Sequence, residues 1–142
     1  MDIAEQIEGY IASQPAAKRD DLRELHRLVL AVSPDCRFWF LDGRNADGKI
    51  VSNPNIGYGV QALAYADGTT RDFYRIGISA NTGGISIYVI GIDDKDALKS
   101  GFGTRLGKAS ITGYCIKFKK LGDLDRGVLE EVIRFGFDAP RG

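Results

Sequence analysis

The chain has 142 residues, 19 Lys and Arg against 19 Asp and Glu, one His and two Cys. That length suits one domain able to bury a core without disulfide or metal staples. A composition of 44% hydrophobic and 27% charged residues argues against disorder, and a formal net charge of zero removes the global basic footprint of a general nucleic-acid binder.

Ile3, Ile7, Tyr10 and Ile11 recur at helical spacing, with Asp2, Glu5 and Glu8 almost opposite, which predicts an amphipathic helix closed by Ser13-Gln14-Pro15. A second helix is predicted from about Ala16 to Ala31. Leu22, Leu25, Val29 and Val32 form its stripe, Asp20/Arg23 and Glu24/Arg27 are pairs on its wet face, and Ser33-Pro34-Asp35 ends it. The period then changes. Cys36 to Leu41 is an aromatic and apolar run, and Asp42-Gly43 and Asp47-Gly48 are turn signals. Ile56 to Ala64, Arg71 to Ser79 and Ile85 to Ile90 alternate as strands, separated by Asp67-Gly68 and Asn81-Thr82-Gly83-Gly84. Such tight connections predict an antiparallel meander. Asp93 to Ser100 reads as a short helix capped by Asp93 or Asp94. A glycine-rich loop follows, then a strand over Tyr114 to Lys119 and a last helix capped by Asp125, with Val128, Leu129, Val132, Ile133 and Gly136 inward.

This order predicts an α+β fold, with N-terminal helices and a C-terminal helix packed on one face of a mainly antiparallel sheet of five to six strands. Within Phe38-Trp39-Phe40 the indole must point opposite its neighbours if the segment is a strand. Trp39 therefore either fills the core's edge or lines a pocket on the other face.

Candidate chemistry is sparse. Gly103-Thr104-Arg105-Leu106-Gly107-Lys108-Ala109-Ser110 looks like a phosphate loop. However, it has three residues between its glycines where four are needed, and Ala109 stands where a magnesium-binding hydroxyl belongs. Charge placement says more. From Ala97 to Gly122 lie Lys99, Arg105, Lys108, Lys117, Lys119 and Lys120 with no acid. This is either a lysine-blunted edge strand or a local anion site, where Lys108 and Lys117 meet a phosphate or carboxylate beside loop N–H groups. His26, the sole histidine, sits at the rim of the second helix's stripe and reads as structural. Cys36 and Cys115 have no metal or redox spacing and read as buried free thiols of a reducing cytoplasm. No nucleophile and base stand out, so enzymatic activity stays open with a lean against it. The segment Met1-Asp2-Ile3-Ala4-Glu5 is acidic where a secretory leader would be basic, and no apolar run reaches the roughly 18 residues of a membrane span. A cytoplasmic location without membrane partners is expected.

Several stretches resemble the YdhG-like family of small bacterial domains of unknown function. They are Ile11 to Pro15, Ser33-Pro34-Asp35 with Trp39 beyond it, Asn55 to Gly59, Gly77 to Asn81 and, most specifically, Leu106 to Lys120. The resemblance implies a helix–antiparallel sheet–helix fold similar to frataxin in outline. One branch of the family is described as intracellular iron chaperones, which would make the face of Asp2, Glu5 and Glu8 an iron site. The second helix mixes its acids with Lys18, Arg19, Arg23 and Arg27. The expectation is a non-enzymatic binding domain for a small anionic ligand through Trp39, Arg105, Lys108, Ser110 and Lys117. The alternative is an iron carrier, with no other cofactor. Oligomeric state is left open, a homodimer included.

Overall fold

The computed structural model describes residues 2–141; Met1, part of the acidic N-terminal stretch, and Gly142 lie outside the described residues. Helix α1 spans Ile3–Ala12 and starts at Asp2, whose Oδ1 accepts the Glu5 N–H at 2.8 Å. Its buried stripe is Ile7, Tyr10 and Ile11, while Ile3 stays 41% exposed where the first turn overhangs the core. Helix α2, Ala16–Val32, buries Leu22, Leu25 and Val29. Of its two expected surface pairs only Glu24–Arg27 forms, at 2.7 Å. Arg23 reaches across to Glu8 of α1 instead, and Asp20 turns to Arg19.

Eight strands follow: β1 Phe38–Leu41, β2 Asn55–Tyr58, β3 Gln61–Ala64, β4 Thr70–Phe73, β5 Ile76–Asn81, β6 Gly84–Val89, β7 Ser110–Thr112 and β8 Cys115–Phe118. Six make an antiparallel sheet in the order β1-β2-β5-β6-β8-β7, and β3 and β4 form a separate ribbon. The long alternations predicted over Ile56–Ala64 and Arg71–Ser79 each break in two. Gly59, at φ +80°, turns the chain out of β2, and the return at Tyr74-Arg75 brings it into β5.

Register then sorts the two faces. Phe40, Ile56, Ile78, Ile87, Ile116 and Ile111 form one row across the six strands and pack in the core under the helices. Burying each large aliphatic side chain stabilises the fold by about 1.5–3 kcal/mol. The row beside it points the other way: Trp39, Gly57, Gly77, Tyr88, Cys115 and Thr112.

Helix α3 spans Ala97–Phe102, later than expected. Asp94 is occupied locally, its Oδ1 accepting the Asp96 N–H at 3.0 Å, and so does not cap the helix. Helix α4, Arg126–Asp138, is capped by Asp125, whose Oδ1 accepts the Val128 N–H at 3.0 Å. It buries the inward residues read from its sequence. At Gly136 it comes so near the sheet that a Cβ would stand 2.6 Å from Ile76. The architecture is α+β, with the helices against one face of a mainly antiparallel sheet. Among the described residues, no helix is long and apolar enough to cross a membrane.

Candidate functional site

The lysine stretch folds into the β7–β8 end of the sheet. Gly107, at φ +114°, lies so close to the next segment that a Cβ would meet the Asp123 carbonyl oxygen at 2.4 Å. That close approach lets Lys108 N–H donate to Asp123 O at 3.2 Å and Asp125 N–H to Leu106 O at 2.8 Å. With this anchor fixed, β7 runs antiparallel to β8 and Ser110 stands directly across from Lys117. Lys108, Ser110, Lys117, Lys119 and Asp123 surround a recess of about 440 Å³, with Ala109 and the buried Phe118 as its apolar wall. The lysine-bearing strand is not the sheet's edge, because β7 covers it.

Sequence placed these lysines beside free loop N–H groups, and here the structure differs. Gly103 N–H donates to Lys99 O, the N–H groups of Arg105 and Leu106 both to Phe102 O, and Ala109 N–H to Gly107 O at 2.8 Å. A chain that curls this tightly satisfies its own donors. Five of the seven N–H groups from Gly103 to Ala109 are thus engaged within the chain, and the lysine side chains supply the positive charge of the recess.

The electrostatic asymmetry is sharper. Every ion pair among the described residues is made by an arginine. Lys108, Lys117, Lys119 and Lys120 are all exposed and take part in none of them.

Two expected members are held elsewhere. Arg105 donates to Glu131 Oε2 at 2.6 Å and to Gly101 O at 3.2 Å, which ties it to α4. Trp39 lies in β1, the opposite edge strand and four strand spacings from β8, or about 19 Å. Its Nε1–H donates to Gly59 O at 2.8 Å, Arg37 sits over its ring at 4.0 Å, and Phe73 meets it edge-on. The structure thus brings Lys108, Ser110 and Lys117 together and leaves Trp39 and Arg105 apart. Lys119 is the addition. Its place two residues after Lys117, on the same face of an extended segment, is the signal that could have found it.

The acidic face does not gather. Asp2 caps α1, Glu8 pairs with Arg23, and among the described residues no group of three or more His, Cys, Asp or Glu side chains is placed to hold a metal ion. Burial pushes both the Cys36 and the Cys115 thiols above their ordinary range, the opposite of what an activated thiolate requires. His26 Nδ1 lies 2.6 Å from the Tyr58 hydroxyl, between the rings of Phe38 and Tyr58.

Comparison of the chain with protein-family models, curated proteins and solved structures gives no match.

Proposed function

We propose that this chain is a binding domain for a small anionic ligand, taken into the recess between β7 and β8. One observation carries the reading: Lys108, Lys117 and Lys119, none of them ion-paired among the described residues, line one recess with the Ser110 hydroxyl. Unneutralised ammonium groups around a concave site favour a phosphate or carboxylate, and the hydroxyl adds a directional donor. The chemistry is binding rather than conversion. The one imidazole is engaged with Tyr58 and both thiols are pushed up, so neither supplies an activated nucleophile. The YdhG-like resemblance belongs to the same proposal. Its most specific stretch, Leu106 to Lys120, is the segment that lines the recess.

Titration calorimetry with phosphate and carboxylate ligands tests the reading. Saturable binding is expected, weakened about fivefold or more by Lys108→Ala or Lys117→Ala, since each removes a charge-assisted contact. Trp39→Phe and Arg105→Ala should leave it unchanged. Binding indifferent to both lysine variants, or none across the series, overturns it.

A further inference from the structure

Next to the recess, two more open along the same lysine rail. One, of about 220 Å³, is lined by Asn81, Gly83 and again Lys117 and Lys119. The other, of about 510 Å³, is lined by Lys18, Asp21, Lys119 and Lys120 around the β5–β6 turn. Each shares Lys119 with its neighbour, which sets the three recesses side by side from Lys108 around to Lys18. Five lysines line them against two aspartates, Asp123 and Asp21, the latter held in place by its Oδ2 accepting the Leu121 N–H at 3.0 Å. At the far mouth Lys18 is fixed in place by its bond to Asn81 O at 2.6 Å.

Resting on the anion-binding reading above, we propose that the three recesses form one groove, which takes a linear chain of condensed phosphates: one end between Lys108 and Lys117, the other reaching Lys18 and Lys120. The charges are strung out rather than focused. Lys117 and Lys119 are two residues apart, Lys119 just beyond the end of β8, and most of the loop N–H groups that would gather a lone phosphate are used internally. A single tetrahedral anion fills one recess and meets only its lysines. A chain with charge at every link meets the whole rail. Nucleic acid fits less well, because base recognition on single strands relies on aromatic platforms. The one aromatic side chain lining the three recesses is Phe118, only 4% exposed.

The test compares sodium orthophosphate, tripolyphosphate and ATP by calorimetry at fixed ionic strength. Tripolyphosphate should bind about tenfold or more tighter than orthophosphate, with a steeper loss of affinity in salt, as several cations engage one polyanion. Lys18→Ala should remove most of that gain and leave orthophosphate affinity unchanged. ATP binding within about threefold of tripolyphosphate would show that the phosphate chain is what is read, whichever molecule carries it. Tripolyphosphate no tighter than orthophosphate, or a gain that survives Lys18→Ala, overturns the groove while leaving the anion site standing. Tight ATP binding without tripolyphosphate binding, or binding of an oligonucleotide alone, overturns it as well. If none of these anions binds, it is the anion-binding reading itself that fails.

Discussion

His26 is held between Phe38 and Tyr58 with Nδ1 2.6 Å from the phenol oxygen, and burial pulls its pKa below the ordinary 6.5. The nearby Glu8 charge acts in the opposite sense and is the smaller effect. Between the folded and unfolded values the unfolded chain carries more protons. The histidine's contribution is therefore complete above about 6.5 and is lost as pH falls through the lower folded value. Urea denaturation at pH 7.5 and 5.5 should show a larger loss of stability on acidification for the wild type than for His26→Gln. An equal loss in both would mean that other groups carry the pH dependence. Its place at the rim of the Leu22–Val29 stripe is enough to read His26 as structural. The partner Tyr58, 32 residues away and on a different element, is fixed only by the way α2 lies across the sheet.

At the scale of elements, the β3–β4 ribbon turns the chain back onto the face that the helices leave open. Its exit residue Tyr74 is 4% exposed, with its ring pressed on Gly57 and Gly77, and Phe73 lies over that ring at 4.2 Å between centroids. Gln61 fastens the ribbon's start by donating through Nε2 to Tyr74 O at 2.9 Å and Ile90 O at 2.8 Å. A Cβ on Gly77 would stand 2.6 Å from the Tyr74 ring, so Gly77→Ala should destabilise by about 1–3 kcal/mol. The same change made in a Tyr74→Ala background should cost much less, a coupling that a double-mutant cycle in urea measures directly. Additive losses would mean that the ring does not rest on the glycines. The sequence shows strands here but not this ribbon, and the reason is physical. Alternation continues through Gly59 because the ribbon has two faces of its own, so no change of period marks the exit. Strand β7 is hidden differently: its three residues are too few to show a period within the glycine-rich stretch. The two N-terminal helices and α4 are long enough for their stripes to be read directly. Lys108, Ser110 and Lys117 were also legible as a group, since a short hairpin returns them to one place. Trp39 was not separable from them, because strand order is a property of the whole sheet that local pattern does not carry.

For the molecule as a whole, equal numbers of acids and bases conceal an uneven distribution, in which every ion pair among the described residues is made by an arginine and none by a lysine. Six of the eleven arginines pair with carboxylates of the helices, as in Arg23–Glu8, Arg126–Glu24 and Arg105–Glu131. The lysines of the β7–β8 end face solvent without a partner in those pairs. Their field is local, since charges more than about 10 Å apart are largely screened at 0.1 M salt. A charged surface brought against the protein therefore senses the groove rather than the sum. At pH 7 and about 0.1 M salt, where the field is this local, the protein should be retained on a phosphate-bearing cation exchanger despite its zero net charge, and released as salt rises. Lys117→Glu with Lys119→Glu should pass through. That pair also lowers the net charge by four, so it is compared with Lys49→Glu and Lys95→Glu, which change the total equally at two exposed sites outside the groove. If position governs, the second pair still binds the column and the first does not. If both pairs elute together, the total charge governs, and the lysine rail has no field of its own.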